Sequence, residues 1–203
     1  MPSYRIRFNS AKRPFTANRP VMPNIDILEP QDASPEVVAL YLDFQRRMGF
    51  PAPPNFIKVQ GHSIAAASGT WGLVQNTLVG GALPRTVKEM LFAAISAERK
   101  CRYCEAAHLA CCRMLGVDDE DISKLVSNVD GINPPKVRAI ITFGLKCARD
   151  PQSLVEEDFA ALRAHGLRQS EIVELISMSA LAVYANIVAD ATAVDSDDMF
   201  GQL

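Results

Sequence analysis

Four residues of the types that a dithiol redox site needs lie within positions 89–108. Cys101 and Cys104 are separated by two residues, and His108 follows one helical turn later. Glu89 precedes Cys101 by twelve positions. A cysteine thiolate can attack the O–O bond of a peroxide, which leaves a sulfenic acid on sulfur and releases water or an alcohol. A histidine can pass a proton to the departing oxygen, and a carboxylate can fix that histidine's tautomer. A second thiol then forms a disulfide, which an external dithiol must reduce.

The spacing of these residues predicts how the chain must fold to join them. Cys104, His108 and Cys111 are separated by four and three residues, so on one helix they share a face, with neighbours about 6 Å apart. Glu89 lies fifteen residues before Cys104, which is about 22 Å along a continuous helix. A turn near residues 98–100 would place Glu89 opposite His108 in an antiparallel helix hairpin. No Gly or Pro marks that turn, so the hairpin is a hypothesis drawn from the chemistry.

In such a hairpin the cysteine pair begins the second helix. A helix N-terminus and a nearby imidazole both lower the pKa of a thiol. An unperturbed cysteine, with a pKa of about 8.5, is only a few per cent thiolate at neutral pH. The predicted position therefore favours thiolate chemistry.

One known family has these four residue types at these spacings. The chain resembles the alkylhydroperoxidase D-like (AhpD-like) group of the carboxymuconolactone decarboxylase superfamily, through the pattern Glu89-x11-Cys101-x2-Cys104-x3-His108. The resemblance is specific over residues 84–116 and looser over 36–194. It implies an all-α, AhpD-like helical bundle built around a helix hairpin that carries the C-x-x-C motif. It also implies a homo-oligomer, which would be a trimer, a hexamer or a dimer.

The resemblance also implies roles for the motif residues. By position, Cys104 would react with peroxide, Cys101 would resolve the sulfenic acid, and His108 with Glu89 would relay protons. The best-known members have a histidine immediately before the second cysteine, where this chain has Tyr103. That departure indicates a peroxidase-related branch. The expected substrate is a small hydroperoxide and the expected reductant an external dithiol of the thioredoxin-like or lipoyl type, with no bound cofactor or metal.

Three other interpretations use the same residues. Zinc could bind Cys101, Cys104 and His108, but these come from one segment and no second Cys or His pair completes a tetrahedral site. A non-catalytic oligomeric redox sensor or scaffold would use the disulfide as a switch. Acid–base chemistry on a small carboxylated ring would use Glu89 and His108 alone, although the decarboxylase branch typically lacks the cysteine pair.

The other cysteines have simpler expected roles. Cys111, Cys112 and Cys147 are expected to be small buried hydrophobic residues. Cys112 lies one turn after His108 and is therefore a secondary candidate thiol, and Tyr103 is a secondary candidate because of its place in the motif.

Composition restricts the class of protein, its partners and its cellular location. The chain has 203 residues, 48% hydrophobic and 22% charged, with a formal net charge of −2, which is typical of a soluble globular protein. No basic block predicts a nucleic acid or an anionic membrane as partner. No apolar run reaches the roughly 18–20 residues needed to span a bilayer, and the N-terminus has no apolar secretory segment. Four of the five cysteines lie within 101–112, which favours a cytoplasmic protein with one functional cluster over a secreted disulfide scaffold.

The pattern of caps and apolar stripes predicts seven or eight helices and no strand. We expect an extended N-terminal arm (1–33), a single all-α domain (34–194) and a mobile tail (195–203). The predicted helices are 35–48, one or two within 55–78, one opened by Pro84, 102–115, one starting near 118–121, one from 134 to before Pro151, 153–164, and a long one from a Ser170 cap to about 194.

Overall fold

The structure, a computed structural model, describes residues 23–201, so the first 22 residues of the expected arm and the last two of the expected tail lie outside the described residues. Within that range the chain is all-α and forms no strand, as predicted. The described residues form nine α-helices: α1 (Pro35–Met48), α2 (Asn55–Gln60), α3 (Ile64–Leu73), α4 (Arg85–Arg99), α5 (Arg102–Met114), α6 (Asp119–Ser127), α7 (Pro135–Arg149), α8 (Glu156–Ala164) and α9 (Gln169–Thr192).

Most helix ends follow their sequence signals. The Ser34 side chain accepts a hydrogen bond from the backbone N–H of Val37, and Pro35 occupies the first turn of α1. Gly49 ends that helix with φ +81°, a left-handed conformation that costs glycine little. The break expected near Gly61 separates α2 from α3.

Two predicted helix starts were displaced. Residues 151–153 form a short 3₁₀ turn, and α8 begins only at Glu156, where the Asp158 carboxylate accepts the backbone N–H of Val155. The start of α9 is Gln169, with Arg168 and not Ser170 at the cap. Glu171 accepts the backbone N–H of Arg168 at 2.9 Å. In both cases an acidic side chain in the first turn accepts the backbone N–H at the helix start, and at α9 this replaces the predicted Ser170 cap.

Helix α4 lies at the centre of the bundle and packs against α5, α6, α7 and α9. Nine of its residues are buried, including the two charged residues Lys88 and Glu89. A helix surrounded in this way supplies side chains to two apolar clusters, one shared with α5 and α9 and one shared with α6 and α7. The position of α4 therefore decides which helices can reach the functional residues it carries.

Helix α9 is the one helix of the described residues long and apolar enough to cross a membrane, with a mean hydropathy of 1.8 over its best window. Sequence analysis had found no such run. Half of that window is buried inside the protein, against α4, α5 and α7. Its composition is therefore that of a core helix.

A buried ion pair fixes α4 to α9. Lys88 is 1% exposed, and its Nζ donates to Glu174 at 3.0 Å, to the Thr77 carbonyl at 2.9 Å and to the Gly80 carbonyl. The Glu174 carboxylate also accepts the backbone N–H of residues 82 and 83. Every donor of the ammonium group thus has an acceptor, which a buried charge requires.

The chain on both sides of the predicted domain packs onto the helices. Asn24 donates its backbone N–H to the Thr192 carbonyl at 2.9 Å, and a ring nitrogen of His62 lies 2.9 Å from the Asp26 carbonyl. At the other end, Phe200 is 5% exposed. Sequence analysis predicted neither set of contacts.

Candidate active site

The predicted hairpin is present. Helix α4 ends at Arg99, Lys100 adopts a left-handed conformation with φ +62°, and Cys101 caps the start of α5. The turn is closed by backbone hydrogen bonds from Lys100 to Ala97 and from Cys101 to Ser96. The residue in such a left-handed conformation is usually glycine. Because lysine occupies this position, the sequence did not mark the turn.

The hairpin brings the predicted relay residues together. His108 Nδ1 lies 2.6 Å from Glu89 Oε2, and Glu89 is fully buried. Its other oxygen, Oε1, accepts a hydrogen bond from Arg85 Nε at 3.2 Å. Because an ionised carboxylate can only accept hydrogen bonds, Nδ1 of His108 carries the proton and Nε2 remains the basic nitrogen.

Two further contacts fix this arrangement. The ring of Phe92, one turn after Glu89 on α4, stacks on the His108 ring with centroids 3.4 Å apart. The guanidinium of Arg85 also lies 3.4 Å from the Met48 carbonyl. The imidazole is therefore held on one face by an aromatic ring and on one edge by a buried carboxylate, which leaves little freedom of rotation.

The two cysteines of the motif are free, buried thiols that face different surroundings. Cys104 lies in the first turn of α5, where the helix dipole stabilises negative charge, and its side chain lines a cavity. Cys101 lies behind it against α9, with Sγ 3.9 Å from the Asn186 carbonyl. A hydrogen bond to Cys104 and, next, burial raise the pKa of the Cys101 thiol well above its usual range. The arrangement keeps the proton on Cys101.

An apolar cavity opens beside Cys104 and His108. The space that water-sized molecules can occupy measures about 50 Å³, enough for a few waters at about 10–15 Å³ each or for one small organic group. Six aromatic side chains contribute to its walls: Phe44, Phe50, Phe56, Phe92, Tyr103 and Phe200. Such walls favour a small apolar ligand and offer few polar groups to a charged one.

Tyr103, which lies between the two cysteines of the motif, is held by two hydrogen bonds to its hydroxyl. Its hydroxyl donates to Asp197 Oδ2 at 2.6 Å and accepts the backbone N–H of Phe56 at 3.1 Å. Burial, followed by the neighbouring Asp197 charge, raises the pKa of Tyr103 well above its ordinary value. Tyr103 thus links the cysteine motif to the C-terminal segment, and its hydroxyl proton is donated to Asp197.

Cys111 and Cys112 are both buried, as expected, but they lie in different apolar clusters. Cys111 lines the cavity, whereas Cys112 lies in the second apolar cluster among residues of α4, α6 and α7. Burial, then the Glu89 charge, raises the pKa of Cys112 to about 12. The same causes raise the pKa of Cys111, also in that order. The structure therefore places Cys112 outside the cavity, and Cys111 is the second cysteine, beside Cys104, that lines it.

Glu89, His108 and Cys111 each present one potential ligand atom, all within 4.8 Å of one another. This set differs from the zinc ligands considered from the sequence. The guanidinium of Arg85 on the other oxygen of Glu89 already neutralises the carboxylate charge that a cation would need.

Sequence reasoning missed several residues of the site. Arg85 had a readable signal, because it lies four residues before Glu89 on the same helix. Asp197 and Phe200 had none, because they reach the cavity from a segment 94 or more residues away in the chain. Contacts of that separation have no local periodicity.

Comparisons with known proteins agree with this fold. Residues 65–133, which include the hairpin, match the carboxymuconolactone decarboxylase family. The crystal structure of an uncharacterised peroxidase-related protein with an alkylhydroperoxidase AhpD core, from Ralstonia eutropha JMP134, is similar with a TM-score of 0.80 and 24% identity, over 90% of this chain and 96% of that one. A peroxidase-related protein from Silicibacter sp. TM1040 is similar with a TM-score of 0.78 and 24% identity, over 91% and 97%.

A third similar structure is a variant of the debrominase Bmp8 in complex with 2,3,4-tribromopyrrole, with a TM-score of 0.74 and 19% identity, over 91% of this chain and 95% of that one. No curated protein gives a significant match to the chain. The all-α helical bundle is the AhpD-like fold. Residues 65–133, about a third of the chain, are thus similar to the carboxymuconolactone decarboxylase family, which agrees with the resemblance predicted from the residue pattern.

Proposed function

We propose that this protein is a dithiol peroxidase that reduces small organic hydroperoxides through Cys104 and Cys101. The observation that carries the proposal is the 2.6 Å contact between Glu89 and His108 on the two helices of the hairpin, beside a cavity that Cys104 also lines. A buried carboxylate, an imidazole and a thiol in this order are suited to proton transfer coupled to attack by sulfur.

In the first step Nε2 of His108 takes the proton of the Cys104 thiol, and the resulting thiolate attacks the terminal oxygen of the hydroperoxide. A sulfur–oxygen bond forms, the O–O bond breaks, and the alkoxide leaves. His108, held by Glu89, delivers a proton to that alkoxide, so the products are a Cys104 sulfenic acid and an alcohol. The contact between Glu89 and the ring stabilises the imidazolium form that holds the proton before transfer.

In the second step the Cys101 thiol attacks the sulfenic sulfur. A disulfide forms and the hydroxyl group leaves with a proton as water. The hydrogen bond between the Cys101 thiol and Cys104 supports this step, because the two sulfurs are already neighbours. An external dithiol then reduces the disulfide, and two electrons per peroxide balance the cycle.

The cavity supports a small apolar substrate. Its walls are mostly aromatic and aliphatic, and no Lys or Arg side chain lines it among the described residues. We therefore expect alkyl hydroperoxides to react better than charged ones. Cys101 and Cys104 are 0% and 2% exposed, which favours a slender reductant of the lipoyl type over a thioredoxin-like protein. A homo-oligomeric, cytoplasmic enzyme is part of the same proposal.

Turnover of an organic hydroperoxide with dihydrolipoamide or dithiothreitol tests the proposal. Wild-type protein should consume the peroxide, and Cys104→Ser should abolish turnover. Cys101→Ser should still form a sulfenic acid, detectable by dimedone and mass spectrometry, but should not form the disulfide. Cys147→Ser is the matched control, because this buried cysteine lies on α7 outside the cavity. Wild-type protein that forms no sulfenic acid at Cys104 would contradict the proposal.

The same assay separates the alternatives that use these residues. A redox sensor would form the disulfide and change its assembly or partner binding with negligible turnover. An acid–base enzyme would keep its activity after both cysteines were changed to serine.

Thiol-dependent reductive dehalogenation is a second candidate, favoured by the aromatic cavity and by the fold shared with a debrominase. The reaction would replace an aryl bromide by hydrogen, release bromide and a proton, and oxidise the two thiols to the disulfide. Release of bromide from 2,3,4-tribromopyrrole, lost in Cys104→Ser, would support this candidate. Peroxide turnover without bromide release would exclude it.

A further inference from the structure

The segment after α9 returns across the start of α5 and contributes one wall of the cavity. Residues 198–201 form a short 3₁₀ turn that contacts α5. Phe200 is the cavity-lining residue of this turn and is 5% exposed. Its neighbours Asp198 and Gly201 are exposed to solvent. The turn that carries Phe200 therefore lies at the protein surface, with the Phe200 ring facing inward.

Phe200 makes edge-to-face contacts with two other aromatic residues of the cavity. Its ring centroid lies 5.6 Å from that of Phe50 and 5.9 Å from that of Tyr103, with interplanar angles of 70° and 81°. These contacts orient the phenyl ring towards the space beside Cys104. The Phe200 ring therefore limits the size of a ligand that can reach Cys104.

Asp197 fixes the turn that carries Phe200. Its carboxylate accepts the Tyr103 hydroxyl at 2.6 Å and the backbone N–H of Asn55 at 3.0 Å, and its carbonyl accepts the backbone N–H of Phe200 at 3.1 Å. Tyr103 immediately precedes Cys104 in the chain. The wall is thus tied directly to the cysteine motif at one end and to α2 at the other.

We propose that Phe200 is a specificity-determining residue that limits the size of the hydroperoxide reaching Cys104, and that Asp197 is a positioning residue that acts through Tyr103. The inference rests on the proposed peroxidase function and names its substrate class: compact alkyl hydroperoxides. Tyr103, at the position where related peroxidases would have a relay histidine, then has a different role. It fixes the wall of the cavity.

The experiment compares kcat/KM for tert-butyl hydroperoxide with that for the bulkier cumene hydroperoxide. Phe200→Ala should raise the bulky-to-small ratio by about 10-fold or more, since even a single methylene in an apolar pocket changes selectivity by about 10–200-fold. Phe200→Leu should give a smaller rise and guards against loss of folding in the alanine variant. Phe159→Ala, which removes an aromatic ring remote from the cavity, should leave the ratio unchanged.

The role of Asp197 has its own pair of variants. Asp197→Ala should raise the same ratio in the same direction, through KM more than kcat, because the turn is freed and the Phe200 ring, still present in the chain, can move away from the cavity. Asp198→Ala, at the exposed neighbour, should not. A mere loss of stability would lower kcat for both substrates and leave the ratio constant, which would overturn the positioning role.

A readout without peroxide distinguishes failure of this inference from failure of the proposed function. Alkylation of Cys104 by iodoacetamide and by N-phenylmaleimide, followed by mass spectrometry, measures access alone. Phe200→Ala should favour the maleimide whether or not the protein turns over hydroperoxides. An unchanged reagent ratio in folded Phe200→Ala and Phe200→Leu proteins would overturn the inference.

Discussion

Nδ1 of His108 lies 2.6 Å from Oε2 of Glu89, although nineteen positions separate the two residues in the chain. The contact exists because α4 and α5 are antiparallel and the turn between them falls midway. The carboxylate is fully buried and is held on its other side by Arg85. Arg85 and His108 thus hold the two oxygens of the carboxylate, and of these two partners His108 also lines the cavity.

Replacing that carboxylate should slow the chemical step. We expect Glu89→Gln to lower kcat/KM for hydroperoxide by about 100-fold or more, because the amide no longer fixes the tautomer or supports the imidazolium. Stopped-flow measurement of Cys104 oxidation tests this. Glu98→Gln is the control, because Glu98 lies on the same helix and pairs with Arg149 at the surface. Equal rates for Glu89→Gln and wild type, in proteins of equal melting temperature, would remove the relay from the mechanism.

The left-handed conformation of Lys100 in the hairpin turn lowers the stability of the folded protein, and a glycine at this position should remove that cost. Lys100 is exposed and has φ +62°, where a side chain costs about 1 kcal/mol relative to glycine. Lys100→Gly should raise the free energy of unfolding by up to about 1 kcal/mol, measured by urea denaturation. Ala161→Gly, in the exposed middle of α8, should lower it by about 0.5–1 kcal/mol. A destabilised Lys100→Gly protein would mean that the lysine side chain has an interaction worth more than the backbone cost.

This turn also shows what the sequence could and could not predict. The relay pair, the two cysteines and the helix hairpin were predictable, because the spacing of Glu89, Cys104 and His108 admits few geometries that serve their chemistry. No local signal marked the turn near residues 98–100, because Lys100 occupies a conformation that is usual for glycine. Local sequence signals identify helix ends that have capping residues. This turn has none, and it was predicted only because Glu89 must reach His108 for proton transfer.

The cavity wall could not be predicted from local signals. Residues 195–203 contain three acidic residues and a glycine, a composition typical of a mobile tail. Yet Phe200 and Asp197 find partners on Phe50, Tyr103 and Asn55, all more than 90 residues away in the chain. One aromatic ring and one carboxylate suffice to attach such a segment, and neither produces a periodic pattern.

The loop before α4 should tolerate no side chain at position 81. Gly81 has φ +94°, and a Cβ there would collide with the Glu174 carboxylate that receives Lys88. We expect Gly81→Ala to lower the free energy of unfolding by about 2–4 kcal/mol, from backbone strain and a displaced buried ion pair. Gly72→Ala is the matched control, because its Cβ would meet open space on α3 and should stabilise by up to about 1 kcal/mol. Similar effects of the two changes in urea denaturation would show that Glu174 moves freely.

The Tyr103 hydroxyl should make stability depend on pH in the alkaline range. Burial and the Asp197 charge raise its pKa above the unfolded value of about 10. A group with a raised folded pKa contributes stability that is complete below its unfolded pKa and is lost as the pH rises through its folded pKa. At neutral pH we expect Tyr103→Phe to cost about 1–3 kcal/mol, because Asp197 and the Phe56 N–H each lose a partner.

Above pH 10 the advantage of the wild type over Tyr103→Phe should shrink by up to about 1.4 kcal/mol per pH unit. Tyr41, whose pKa burial and then the Glu29 charge raise to about 12, is present in both proteins and cancels in the difference. Urea denaturation between pH 8 and 11 measures the effect, and absorbance at 295 nm should show one late-ionising tyrosine fewer in the variant. A stability difference that stays constant across this range would mean that the Tyr103 hydroxyl ionises equally easily in the folded and unfolded chains, and the link from the cysteine motif to Asp197 would lose its energetic basis.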